Sequence, residues 1–530
     1  MTDPLLFART FFPHHCRLPY SSMHRDFFRN YIAHLTEDLL SRTGYNEAVA
    51  APRGFAKSTI KSLILPIHAI LHQTERYIVI ISATLKQAKL RLKNIKNELL
   101  TNEILKKYYD IEIPSGMQKA WTQQSININD VQVEAYSAGT EIRGISYKEF
   151  RPTRVILDDA EDSSLVESGE GRAKLLEWFN EVIENLGDSY TILEVIGTLL
   201  HPESLLATLL RRPDFQGKVY RAVMDFAEET GLWEKWKIFF TDLSNERRMD
   251  SAEQFFIQNK NAMMKGARVL WNTKEDYYSL MTQLVTRGRR AFFQEKQNDP
   301  RSAENRLFSR DQFRYFTLDG DRLLVDRPGM EPRAVPLSEL AICGFLDSAL
   351  GGGGKGRSSR RGDFAAIVTV GSDQSGYIYI LDAWLNKIPP TKQIARIFEL
   401  HNRFSYHQFG FEGNCFQSLL RLPLEEEREK RRNSGGKWDI PITEVTHKIK
   451  KEARIVSLEP LIANGWILFN RGLPEEFFRQ MEDIPNGIHD DGPDALEAAV
   501  ALAKTLGDSL KVKNPSHFEP RTVKKPLSYY

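Results

Sequence analysis

Lys57 and Ser58 sit near the end of the stretch APRGFAKST (51–59), a lysine and a hydroxyl spaced as in a phosphate loop. In such a loop backbone N–H groups and a helix N-terminus face the phosphates. The lysine reaches the β and γ phosphates and the hydroxyl binds Mg2+. The stretch departs from G-x-x-x-x-G-K-[ST], because Ala51 and Ala56 stand where glycine is usual. Alanine is the smallest substitute, so a nucleotide site lined by Arg53, Gly54, Ala56, Lys57, Ser58 and Thr59 is compatible with it, as is a plain helix start. Further on, RVILDD (154–159) is a hydrophobic strand ending in two carboxylates. Asp158 would hold Mg2+ through water and Asp159 would orient the attacking water, with Glu161 as a rival for that role. Arg53 and Arg143 are candidates for the charge that stabilises phosphoryl oxygens in transfer. Thr198, at the end of YTILEVIGT (190–198), is placed to sense a γ-phosphate or to form a turn.

A second set of acids lies in the C-terminal part. Asp347 ends the strand AICGFLD, Glu412 ends HQFGFE, and Asp490, Asp491 and Asp494 open a helix in HDDGPDALEAA. Carboxylates brought together repel one another without a cation. Two Mg2+ or Mn2+ ions prefer such oxygen ligands and would activate water against a phosphodiester. Asp491 is the favoured ligand on the helix, with Asp490 and Asp494 as alternates, since capping alone also explains acids at a helix start. Asp363 is a further candidate. The loop GGGGKGRSSRRG (351–362), with Lys355, Arg357, Arg360 and Arg361, and the patch HKIKKEAR (447–454) are candidate backbone contacts for DNA or solvated charge.

The elements that must position these groups fall into two patterns. Residues 1–220 alternate buried-strand runs such as YIVIISA (77–83) with helical stretches, the order of a mostly parallel sheet covered by helices. Residues 221–335 are rich in Trp, Phe and helix formers and read as a helical lid or linker. Residues 336–507 give three meandering strands followed by alternating helix and strand, the order of an RNase H-like domain. Residues 508–530 form a basic tail expected to be disordered. The expected class is therefore α/β, with an N-terminal P-loop domain of the ASCE type and a C-terminal RNase H-like domain.

At 530 residues the chain is too long for one core. Its net charge of +2 excludes a polycation, so any nucleic-acid site is a local basic surface. Cys16, Cys343 and Cys415 show no disulfide or zinc spacing. The N-terminus has no signal-peptide layout, and the longest apolar run is interrupted by Pro66 and His68. A reducing cytosol and no membrane are expected.

Taken in order, the motifs resemble those of the large terminase subunit of tailed bacteriophages, over roughly residues 20–505. APRGFAKS looks like that family's Walker A element, GTEIRG with VILDDAED its Walker B region, and IGTLLHPESLL its coupling motif. FFQEKQNDP is similar to the segment before the nuclease, and GFLDSA, GFEGN and HDDGPDAL to the three acidic nuclease motifs. HRDFF (24–28) is a weaker match to the adenine-contacting segment, since no Gln marks it. The resemblance implies a motor in which ATP hydrolysis drives double-stranded DNA into a procapsid through its portal protein. A nuclease using Asp347, Glu412 and Asp491 with two metals would cut concatemeric DNA. It also implies a small terminase subunit as partner, a homo-oligomeric ring on the portal, commonly a pentamer, and Arg143 acting in trans. The place of action would be the host cytoplasm, transiently at the portal and not in the mature virion. The alternative is a helicase- or repair-type DNA-dependent ATPase whose C-terminal domain binds DNA without cutting it. A transposase-like enzyme and a capsid-associated protein with degenerate motifs are further rivals.

Overall fold

The computed structural model describes residues 3–36, 38–111, 121–300, 307–326, 332–348, 364–413, 420–435, 439–447, 449–484, 487 and 489–513. Asp363, the loop 351–362, Lys448 and residues 514–530, all singled out in the sequence, lie outside them. The chain forms two compact units, Met1–Leu232 with Asn259–Asn305 and Trp233–Gln258 with Arg306–Tyr530. Both are mixed α/β: the sheet of the first is almost wholly parallel, and that of the second combines parallel and antiparallel pairs. Among the described residues no helix is long and apolar enough to cross a membrane.

The first unit is built on seven strands: β1 (Tyr45–Ala50), β2 (Tyr77–Ser82), β3 (Ser125–Ile128), β4 (Val131–Ser137), β5 (Arg154–Asp158), β6 (Ile192–Gly197) and β7 (Gln216–Val219). Their order is β3-β4-β2-β5-β6-β1-β7, and every pair except β3–β4 is parallel. β2, β5 and β6 are buried along their whole length, as uninterrupted apolar runs require in a sheet covered on both faces. From β1 the chain passes over β6 and β5 to reach β2. Ligands of open α/β sheets bind at the carboxyl ends of strands where the order reverses in this way.

The helix after β1 carries a π turn over Ile60–Ile64, with Leu65 N–H donating to the Ile60 carbonyl. Pro66 follows at once, and the wider turn relieves the clash its ring would make with the preceding carbonyls. That turn points Lys61 into the interior, where six charged side chains form one buried chain. Lys61 Nζ lies 2.6 Å from Glu47 Oε2 and 2.5 Å from Glu194 Oε1. Arg154 bridges Glu194 (2.6 Å) and Glu75 (3.0 Å), and Arg42 grips both oxygens of Glu75 (2.9 and 3.0 Å). Burial works against the charge on Glu194, but Lys61 and Arg154 hold its carboxyl down at about 2. Removing Lys61 leaves Glu194 with Arg154 alone and the buried Glu47 with only the Asn30 amide, at 2.6 Å, in place of a cation. Lys61→Met should therefore destabilise the first unit by about 3–5 kcal/mol, seen as an early step in thermal or urea unfolding. A melt like that of wild type would show the network to be energetically idle.

Two short strands, β8 (Val223–Asp225) and β9 (Arg268–Val269), pair in the same unit. The second unit holds β10 (Arg314–Asp319), β11 (Arg322–Val325), β12 (Arg333–Pro336), β13 (Ala341–Asp347), β14 (Ala365–Ser372), β15 (Ile378–Asn386), β16 (Gln408–Glu412), β17 (Ile442–Val445) and β18 (Ile467–Asn470). The sheet runs β12-β11-β10-β18-β15-β14-β13-β16-β17. β13, β14 and β15 are antiparallel, and β16 and β17 continue parallel to β13, the order of an RNase H-like sheet. β10 to β12 fall in the stretch read from sequence as helical. Their charged residues hide the pattern, since only Phe316 of β10 is buried. The last helix spans Asp491–Lys513, running on into the segment read as tail.

Alternation along β13 sorts the two faces. Cys343 and Phe345 pack with Ala495, Leu496 and Ala499 of the last helix. Ile342 and Leu346 pack with Ile394, Ile397 and Phe398 of the helix Pro390–Phe404. Asp347 therefore belongs to the face covered by the last helix.

Candidate functional site

The carboxyl ends of β1, β6 and β5 bring together the first set of residues. Gly54 turns the loop at φ +83°, and Ala56 enters the helix at φ +56°, in the left-handed region. Alanine there costs on the order of 1 kcal/mol that glycine would not. The loop thus keeps the glycine geometry without the glycine. Lys57, Ser58 and Thr59 form the first turn, whose N–H groups open toward an anion. Lys57 is buried, its Nζ 3.2 Å from Thr198 Oγ1 and 3.3 Å from Asp159 Oδ1. Ser58 Oγ donates to Asp158 Oδ1 at 2.7 Å. Burial pushes the Asp158 carboxyl up, and Arg91, with its Nε 2.8 Å from Oδ2, opposes this. β6 lies between β1 and β5, so Thr198 stands between the loop and the two acids.

Not every sequence candidate joins this cluster. Arg53 donates to Glu295 Oε1 at 2.5 Å, and its backbone N–H to the Glu295 carbonyl at 2.9 Å. Arg143 is exposed and pairs with Glu181 at 2.7 Å and Glu141 at 3.7 Å. Glu161 accepts the N–H groups of Leu205 (2.7 Å) and Leu206 (3.0 Å), so its carboxylate caps a helix. Asp159 is left facing Lys57, with its side chain 36 % exposed. Asp159 has φ +49°, which asparagine tolerates. Asp159→Asn should lower ATP turnover about 100-fold or more while nucleotide still binds. Glu161→Gln should cost stability and leave turnover within a few-fold. Steady-state hydrolysis beside nucleotide titration separates the two, and the reverse pattern would make Glu161 the catalytic group.

In the second unit, Leu346 of β13 is paired with Phe411 of β16, which sets Asp347 beside Glu412 at the strand ends. A Cβ on Gly410 would meet the Phe345 ring at 2.6 Å, so the even-numbered residues of β16 share the Asp347 face. The start of the last helix closes over that face. Lys451 Nζ lies 3.9 Å from Asp347 Oδ2, 2.9 Å from Asp490 Oδ1 and 3.2 Å from Asp494 Oδ2. Arg454 pairs with Asp494 at 2.7 Å and Glu497 at 2.6 Å. Asp491 is buried, its Oδ2 accepting the N–H of Phe364 at 3.3 Å with His489 Nδ1 at 3.8 Å. Burial pushes the Asp347 carboxyl up to about 7; Lys451 works against this, while Asp494, Asp491 and Glu412 add to it. Five acids, from two strand ends, the last helix and the residue just before it, thus meet on one face.

No protein-family model and no curated protein sequence matches the chain. In fold, the chain is similar to large terminases of tailed bacteriophages. A large terminase from a thermophilic bacteriophage, solved in complex with ADP, is 9 % identical with a TM-score of 0.42, over 92 % of this chain and 99 % of that one. The HK97 bacteriophage large terminase is 13 % identical with a TM-score of 0.32, over 94 % and 99 %. The large terminase nuclease from thermophilic phage G20c is 15 % identical with a TM-score of 0.23, over 37 % and 98 %.

Several residues at the two sites escaped the sequence reading. Arg91 sits on the lysine-rich helix Leu85–Thr101, where one more cation carries no signal. The patch 447–454 read as phosphate contacts or solvated charge, yet Lys451 and Arg454 turn toward the acids, one helical turn apart. FFQEKQNDP read as the approach to the second domain, yet it braces the phosphate loop. Lys296 Nζ donates to the Arg53 carbonyl at 3.1 Å, and Asn298 Oδ1 accepts Leu199 N–H at 3.0 Å, just after Thr198. His24 of HRDFF reaches the Phe55 carbonyl at 2.9 Å, so it touches the loop from behind.

Proposed function

We propose that this chain is the ATPase and nuclease subunit of a viral DNA-packaging motor. The observation that carries the reading is the pairing, in one chain, of two distinct sites. A phosphate loop meets a carboxylate pair and a Thr in the first unit, and five acids meet on an RNase H-like sheet in the second. Ser58 Oγ and the buried Asp158 carboxylate offer the hard oxygens Mg2+ takes beside nucleotide phosphates. Lys57 neutralises phosphate charge, Asp159 orients the attacking water and accepts its proton, and Thr198 fixes Lys57. At the second site Asp347, Glu412 and Asp491, with Asp490 or Asp494, fit Mg2+ or Mn2+ as oxygen ligands. There metals supply Lewis acidity toward a phosphodiester. The substrate is double-stranded DNA. A portal protein, a small terminase subunit and a homo-oligomeric ring, commonly a pentamer, are the proposed partners, and the host cytoplasm the place of action.

The test is displacement of a third strand from a DNA triplex by the purified chain with ATP, beside unwinding of a forked duplex. A packaging motor tracks along intact duplex, so it should displace the third strand and leave the fork paired. Fork unwinding without metal-dependent cleavage would instead establish the helicase- or repair-type reading.

A further inference from the structure

Outside both sites, three side chains of the first unit aim at one point. His14 and His15 follow the first helix, Pro4–Phe11, and Glu98 lies near the end of Leu85–Thr101. His14 Nε2 is 2.9 Å and His15 Nε2 3.0 Å from the same oxygen, Glu98 Oε1. One ligand atom from each lies within 4.8 Å of the other two. From these residues we infer that His14, His15 and Glu98 form a binding site for a borderline divalent metal ion, Zn2+ foremost, that staples the N-terminal segment to this helix.

The donor chemistry selects the metal. Two imidazoles and one carboxylate suit Zn2+ and its neighbours, whereas Mg2+ and Ca2+ prefer oxygen alone. Zn–N and Zn–O bonds of about 2.0–2.2 Å at tetrahedral angles set donors about 3.3–3.5 Å apart. The two His–Glu separations need to open by only a few tenths of an ångström. Binding through both Nε2 atoms requires each ring proton to sit on Nδ1, so the Nε2–H contacts to Glu98 Oε1 give way to bonds to the ion. A supporting residue is already in place, since Asn102 Nδ2 donates to Glu98 Oε2 at 2.9 Å and to the Phe11 carbonyl at 2.7 Å. Such outer partners orient a ligating carboxylate. The histidine side chains are 44 % and 31 % exposed, which gives the ion a path in, while Glu98 is 14 % exposed. Cys16 lies outside this donor group among the described residues, and its Sγ accepts the Tyr20 hydroxyl. A plain ion pair of Glu98 with protonated histidine is the competing account, and metal content decides between them.

The experiment uses the full chain with any affinity tag removed, stripped of metal and dialysed against Zn2+ in excess Mg2+. Excess Mg2+ competes for the oxygen-only sites elsewhere, and the variants report any zinc those sites still hold. Wild type should hold one more zinc per chain than His14→Gln/His15→Gln or Glu98→Gln, with affinity lost about 100-fold or more in each. Zn2+ should raise the melting temperature of wild type and not of the variants. Circular dichroism and nucleotide binding check that the variants are folded. Equal zinc content in wild type and the double histidine variant would overturn the site. Zinc kept by Glu98→Gln alone would overturn the three-ligand assignment.

Discussion

Replacing Lys57 by alanine will lower ATP turnover by about 10²–10³-fold or more while DNA cleavage by the second unit stays at its wild-type rate. The ammonium is held at 3.2 Å from Thr198 and 3.3 Å from Asp159, at the mouth of a helix that points its free N–H groups the same way. Removing it leaves phosphoryl charge opposed by the backbone N–H groups and by Mg2+ beside Ser58 and Asp158, with no side-chain cation from the loop's own lysine. The fold should survive, because Asp159 is part-exposed and can return to water when its partner is lost. Arginine will not rescue. Its planar fork is wider than an ammonium and must fit beside Thr198 and Asp159 in a buried slot. The measurement is steady-state hydrolysis and plasmid cleavage on the same preparation of Lys57→Ala. Turnover near wild type would remove this loop from catalysis. Loss of both activities together would point to a folding defect.

The parts legible in the sequence were those whose signal is local. β2, β5 and β6 are buried on both faces, so their apolar runs announce them, and the residues after them inherit a known position. The loop 51–59 is recognisable because Lys-Ser at a helix start is followed, farther on, by an apolar strand ending in two carboxylates, and Ala56 takes the left-handed backbone that glycine usually supplies. Asp347 and Glu412 were legible for the same reason, each closing an apolar strand. What stayed hidden depends on contacts distant in the chain. Glu161 and Asp159 look alike in sequence, and only the helix start at Leu205 claims one of them. Lys61, Glu47, Glu194, Arg154, Glu75 and Arg42 are ordinary charges until the sheet aligns them. β10 to β12 are half-solvated, so their alternation is masked by Arg and Asp.

Asp347→Asn will abolish metal-dependent cleavage of plasmid DNA and leave ATP turnover unchanged. Asp347 lies at the centre of the acids: Glu412 adjoins it on the next strand, and Asp491 and Asp494 face it from the last helix. An amide removes the charge and one of the hard oxygens while keeping the shape. Stability separates this from misfolding. The carboxyl is pushed up from 3.8 to about 7, chiefly by burial. Ionising it therefore costs the folded state, so without metal the protein loses stability as pH rises from about 4 to 7. The uncharged amide escapes that loss. Asp347→Asn should accordingly melt at or above the wild-type temperature at pH 8 in chelator, and the advantage should shrink toward pH 5. Metal binding in wild type follows the same proton. Below pH 7 the ion must displace it, so apparent Mn2+ affinity should fall by up to about tenfold per pH unit and level off above pH 7. Calorimetric Mn2+ titrations at pH 6 and pH 8 measure this directly. Cleavage retained by Asp347→Asn, or Mn2+ affinity that ignores pH, would move the metal site away from Asp347.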